Sequence, residues 1–138
     1  MKIIQALASG ITAMRNCEAN GSNAVAQEWR DYLEALVRNY APSGSGFDAG
    51  TTLDFDASND EKIVFTTSFH HMDDNGFYCG WSEHTVIFTP SFHGFNIRVT
   101  GRNVRDIKDY IADVFSGFAD SGDVLTFGEW REAGNAAA

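Results

Sequence analysis

Apolar residues recur every three or four positions from Ile3 to Val37, and every second position from Leu53 to Val99. A helix brings one face round every 3.6 residues and a strand alternates faces every two, so no single element type fits both halves. The chain must therefore pack helices against a sheet. Asn20-Gly21-Ser22-Asn23 stops one helix and caps the next within four residues. Helices over 3–19 and about 24–39 are thus expected to form an antiparallel hairpin. The first would bury Ile3, Ile4, Leu7, Ile11 and Met14, and the second Val25, Trp29, Tyr32, Leu33, Leu36 and Val37. Pro42-Ser43-Gly44-Ser45-Gly46 ends the hairpin and is too short to separate two domains.

Leu53 and Phe55 open the strand region, and Asp74-Asn75-Gly76 is a strong hairpin turn. With Asn75-Gly76 as a two-residue loop, Phe65 lies opposite Val86 and Ile63 opposite Phe88. A second turn at Pro90-Ser91 would set Phe88 opposite His93, Val86 opposite Phe95 and His84 opposite Ile97. Both pairings put Ile63, Phe65, Phe69, Val86, Phe88, Phe95, Ile97 and Val99 on one face, as a half-buried sheet requires. A third helix, capped by Asn103 and running to about Phe118, turns Val104, Ile107, Ile111, Val114, Phe115 and Phe118 inward. The expected fold is one α+β domain over 1–138, in the order α-α-β-β-β-β-α, with about four antiparallel strands. Residues 120–138 read as an apolar, irregular tail, and 134–138 have the composition of a cloning remnant.

The two cysteines, Cys17 and Cys79, form no CxxC pair and suit a reducing cytosol. Residues 1–13 imitate a signal peptide only faintly, because Gln5 and Ser9 interrupt the apolar stretch and its spacing is helical. No apolar run approaches the ~20 residues of a membrane span.

Ten Lys and Arg face nineteen Asp and Glu, a net charge of −9. Direct grip on a phosphate backbone is disfavoured, since that affinity comes from cations. A protein partner with a basic surface is the better match. The deficit concentrates in 41–61, where Asp48, Asp54, Asp56, Asp60 and Glu61 occur with no base. Asp106, Asp109 and Asp113 form a second array, ~4.5 and ~6 Å apart along the solvent face of the third helix. The plainer account of that array is a solvated face partly neutralised by Arg102, Arg105 and Lys108.

All four histidines fall between 70 and 93 with Cys79 among them, which raises a zinc site. The expected hairpin argues against one: His71 lies opposite Gly80, ~13 Å along the strand from His84. The run His70-His71-Met72-Asp73-Asp74 could support a metal-assisted hydrolase, yet it enters a tight turn where Asp and Asn bond their own backbone. There is no G-x-S-x-G elbow, and Gly44, Gly46 and Gly50 precede no Lys-Ser/Thr pair. No cofactor and no metal ligand set is expected. Phe77, Tyr78, Trp81 and Phe92 could stack on bases, but only Lys62, Arg98 and Arg102 would accompany them. The outer sheet face is expected to carry Val64, Met72, Trp81, Ile87 and Phe92 beside His70, Glu83 and Arg98. Left open, such a face is a dimer interface, a partner site, or a shelf for 124–130.

The strings Pro42-Ser-Gly-Ser-Gly-Phe-Asp-Ala-Gly50, Lys62-Ile-Val-Phe-Thr-Thr-Ser-Phe-His-His71 and Arg105-Asp-Ile-Lys-Asp-Tyr110 resemble a family of small uncharacterised bacteriophage and prophage proteins. The resemblance covers about half the chain or more and implies an accessory protein acting in the host cytoplasm, with no catalytic residues attached. Small acidic phage proteins of this kind are often anti-CRISPR or anti-restriction inhibitors, some of which mimic DNA; that step is analogy. The expected function is a non-enzymatic inhibitor of a host nucleic-acid-handling complex. It would bind through Asp106, Asp109 and Asp113, with Asp54, Asp56, Asp60 and Glu61 alongside. The alternatives are a binding or homodimerisation module using the sheet face around Trp81, and a metal-assisted hydrolase at His70, His71 and Asp73.

Overall fold

The computed structural model describes residues 2–42, 46, 47, 50–91, 94–101 and 107–137. Its elements are α1 (Ile3–Ala19), α2 (Asn23–Tyr40), β1 (Thr51–Leu53), β2 (Ile63–Met72), β3 (Tyr78–Ser91), β4 (Gly94–Gly101), α3 (Lys108–Ala119) and α4 (Phe127–Ala137). The strands make one antiparallel sheet in the order β1-β2-β3-β4. The expected α+β order holds, with a fourth helix added at its end. Among the described residues, no helix is long and apolar enough to cross a membrane.

The helical hairpin follows its apolar spacing. Ile3, Ile4, Leu7, Ile11 and Met14 are buried on α1, and Tyr32, Leu33, Leu36 and Val37 on α2. Each fully buried aliphatic side chain contributes roughly 1.5–3 kcal/mol. Val25 and Trp29 are only half-buried, while the small Ala26 and Ala35 go fully inside. At the joint, the Gly21 and Ser22 amides donate to the carbonyls of Glu18 (3.1 Å) and Cys17 (2.8 Å) and close α1. The Arg15 guanidinium donates to the carbonyls of Phe55 and Ser58, which ties the β1–β2 connection to α1.

In the sheet, Ile63 lies opposite Phe88 and Phe65 opposite Val86, as expected. The turn itself differs. The Asp73 amide donates to the Phe77 carbonyl (2.9 Å), so the loop has three residues and Gly76 takes φ +82°. The Asp73 carboxylate locks this shape by accepting the Asn75 and Phe77 amides (2.9 and 2.8 Å). The one-residue shift is cancelled between His71 and Met72, where Met72 pairs with Tyr78 and leaves Cys79 unopposed. The second hairpin is a larger correction: Phe88 opposes Ile97 rather than His93, and Val86 opposes Val99. β3 continues through Pro90 to Ser91, which pairs with Gly94. Pro90 fits because β3 there has outrun β2, so no partner on that side needs its missing amide. The displacement is four residues, an even number, and so every side chain keeps its face.

The inward face packs on the helices. Phe65, Phe88, Phe115 and Phe118 form an aromatic cluster with centroids 5.6–6.4 Å apart, mostly edge to face. Phe95, expected inside, is exposed near the β4 terminus. The third helix starts at Lys108 with Ile107 in the N-cap position, later than expected. Asn103, Val104 and Asp106 lie outside the described residues.

The segment expected to be an irregular tail is instead α4. Thr126 and Glu129 build a capping box: the Thr126 amide donates to Glu129 Oε1 (3.1 Å), and the Glu129 amide donates to Thr126 Oγ1 (3.2 Å). These hydrogen bonds hold the exposed Glu129 carboxyl below its usual pKa range. Phe127 stacks on Trp29 at 3.8 Å between centroids, and Trp130 packs near Tyr32. Tyr32 donates its hydroxyl to the Leu125 carbonyl (2.6 Å), and burial raises its pKa. Residues 127–130 thus dock on the helical layer rather than on the outer sheet face.

Candidate binding surfaces

The acidic residues divide by what their carboxylates do. Asp54 accepts the Ala57 amide (3.1 Å) and closes the turn after β1. Asn59 does similar work by accepting the Glu61 and Lys62 amides (2.8 and 3.1 Å). Asp56, Asp60 and Glu61 are exposed in the same segment. The ion pairs among the described residues are Lys2–Asp120 (3.3 Å), Arg15–Glu18 (3.6 Å), Arg30–Glu34 (3.7 Å) and Arg131–Glu28 (2.8 Å). None of them uses these three acids, although the Arg15 guanidinium on the Phe55 and Ser58 carbonyls shares a cavity with Asp56.

Asp109 and Asp113 are exposed on α3, one turn apart. Asp109 occupies the first turn, where the helix dipole stabilises an anion. Asp106 lies outside the described residues, so only Asp109 and Asp113 of the expected array are placed. The two acidic regions do not merge. The segment carrying Asp56, Asp60 and Glu61 leaves β1 at one edge of the sheet, whereas α3 packs on β4 at the other.

Trp81 stands exposed on the outer sheet face opposite His70. It shares the hairpin end with Met72, Phe77 and Tyr78, each more than half exposed. The rest of that face is less apolar than expected. Thr66, Ser68, Glu83, Thr85, Asn96 and Arg98 occupy most of it, and Val64 is buried, its amide held by Ser58 Oγ (2.9 Å). Phe92 lies outside the described residues. Among the described residues, the exposed large apolar side chains of that face gather at the hairpin end, with Ile87 only partly exposed.

His70 and His71 point to opposite faces of β2, and Asp73 is engaged in its turn, so the three do not converge. His71 has a different setting. Its Nε2 lies 2.7 Å from Ser82 Oγ, which lies 2.6 Å from His84 Nε2, and all three side chains are buried. The backbone rungs are as far apart as expected, but the two rings lean toward one hydroxyl. Ser82 has one proton to donate, so one imidazole accepts it while the other donates its own N–H. His84 Nδ1 faces the Thr100–Gly101 backbone and makes no hydrogen bond of good geometry. Burial lowers the His84 pKa; the Thr100 carbonyl opposes that shift, and the nearby His71 and Lys108 add to it. This is an internal network sealed from solvent. Among the described residues, no group of three His, Cys, Asp or Glu could hold a metal ion.

No known protein family, curated protein or solved structure matches this chain.

Proposed function

We propose that this protein is a non-enzymatic binding protein that inhibits a host nucleic-acid-handling complex, of the anti-CRISPR or anti-restriction kind, by presenting carboxylates to a basic groove. The observation that carries the reading is that Asp56, Asp60 and Glu61 are exposed together and, among the described residues, enter no ion pair. Turn chemistry accounts for Asp54 and Asn59, but not for these three. Like charges left together cost stability, and a cationic partner would recover it on binding. Asp109 and Asp113 form a secondary contact. A partner whose groove normally holds a phosphate backbone supplies the required Lys and Arg.

The test is competition against a purified CRISPR or restriction effector, followed by the anisotropy of labelled target DNA. The protein should displace the DNA, and displacement should weaken as salt rises. The combined Asp56→Lys, Asp60→Lys, Glu61→Lys variant should lose at least tenfold in potency. Displacement indifferent to both charge reversal and salt would sink the reading.

A second reading rests on the hairpin end, where Met72, Phe77, Tyr78 and Trp81 are exposed together. A protein partner or a second copy docking there would make Trp81→Ala more damaging than the charge reversals.

A further inference from the structure

A cleft of about 570 Å³, within the range of ligand sites, opens where α2 packs on β1. Val37, Phe47, Leu53 and Phe55 give it an apolar floor, and Arg30, Glu34 and Arg38 line it from α2. It adjoins the acidic segment at Phe55, which stands between Asp54 and Asp56, and lies apart from the hairpin end. Three features of its walls, taken together, specify an occupant.

The first is the edge of the sheet. Among the described residues β1 pairs with β2 alone, so its other side has no strand partner there. Asp54 donates its amide to the Val64 carbonyl (2.9 Å), and Gly50 accepts the Ser68 amide (3.4 Å). The ladder alternates, so the even-numbered residues 50, 52 and 54 turn their backbone groups toward β2. Thr51 and Leu53 turn theirs the other way, toward the cleft that both residues line. A peptide backbone presents donors and acceptors at the spacing needed to meet them.

The second feature is charge order. Arg30, Glu34 and Arg38 follow one another at i, i+4 and i+8, a plus-minus-plus row with a ~6 Å step along α2. In an extended chain, side chains on one face repeat every second residue, a step of ~6.7 Å. The helix row and a strand laid along it therefore keep pace over three charges. The third feature is that the terminal charge is unengaged. Arg30 is held over the Phe55 ring (4.3 Å) and paired with Glu34, whereas Arg38 makes neither a hydrogen bond nor an ion pair among the described residues.

We infer that the α2–β1 cleft binds an extended segment of a partner protein, added as a strand to the free edge of β1. Its side chains facing α2 run acidic, basic, acidic at every second position. One terminal carboxylate meets Arg38, the central cation meets Glu34, and the other carboxylate meets Arg30. The carboxylate on Arg38 does most to set specificity, because that guanidinium has no competing partner among the described residues.

The probe is a synthetic seven-residue peptide, capped at both ends, with the order Thr-Asp-Val-Lys-Val-Asp-Thr. Its binding to the full chain is followed by fluorescence anisotropy and by backbone amide shifts. Saturable binding with shifts at Thr51, Leu53 and along α2 is expected. A charge-inverted peptide, with Lys at both Asp positions and Asp at the Lys position, should bind at least tenfold more weakly. Methylating alternate backbone amides should abolish binding. Arg38→Glu should weaken the parent peptide at least tenfold and restore a peptide whose matching Asp is replaced by Lys, which separates lost recognition from lost folding. The inference fails if the parent peptide does not bind saturably, if the inverted peptide binds equally, or if the methylated peptide retains affinity. It fails equally if the cleft takes free decanoate and not the peptide.

Discussion

The Ser82 hydroxyl lies 2.6 Å from Nε2 of His84, and both side chains are buried against the helical layer. The same oxygen lies 2.7 Å from His71 Nε2, so one small side chain satisfies two buried imidazoles. Ser82→Ala removes that shared partner and leaves two ring nitrogens dry. An unsatisfied buried polar group costs about 1–3 kcal/mol. The urea midpoint should therefore drop by the equivalent of at least ~2 kcal/mol with an unchanged m-value. A variant as stable as the parent would mean that water reaches both rings.

Burial lowers the His84 pKa below its ordinary 6.5. The unfolded chain then takes up a proton near 6.5 that the folded chain refuses. Stability is full above that pH and falls as pH drops through and below it, because the unfolded state binds more protons. Urea unfolding at pH 7.5 and pH 5.5 should show this loss, and His84→Gln should flatten it. A pH-independent midpoint over that interval would contradict the assignment.

Thr126→Ala opens the box at the start of α4 and should cost about 1 kcal/mol. The loss is local: amide exchange should quicken over 127–133 while β2 and β3 keep their protection. Glu129 adds a separate acid-side effect. Its lowered pKa means that its contribution is present above the ordinary 4.5 and lost as pH falls further. Uniform quickening across the sheet would show that α4 is not an independent unit.

Phe115 meets the rings of Phe47, Phe65, Phe88 and Phe118 and is fully buried. It joins α3 to both central strands. Phe115→Ala should destabilise the domain by about 3–5 kcal/mol, seen as a large fall in the thermal midpoint. A loss below ~1 kcal/mol would mean that the cluster closes over the vacancy.

Particular residues show why some features were legible before the coordinates and others were not. Asn20-Gly21-Ser22-Asn23 located the helical joint because stop and cap signals act within a few residues. The Thr126-x-x-Glu129 spacing carries the same kind of signal for α4, whose start is therefore also legible in the sequence. The faces of β3 and β4 follow the alternation of the sequence, although their pairing lies four residues from the expected register. Alternation repeats every two residues and cannot detect an even slip, and Pro90 looked like a turn when it was a strand residue beyond the reach of β2. The acids of 54–61 were all visible as charges; only hydrogen bonding separated Asp54, which holds a turn, from Asp56, Asp60 and Glu61, which do not.

The order of side chains along the chain determined the α+β class, the element types and the inward faces, since burial on one side of an element imposes a period that neighbouring residues record. The tertiary structure alone decided that Ser82 sits between His71 and His84, that α4 docks on Trp29, and that Arg30, Glu34 and Arg38 overlook a free strand edge. Each of these joins residues distant in sequence. Their meeting depends on strand order and helix packing, which minimise exposed apolar area over the whole domain rather than within any one segment.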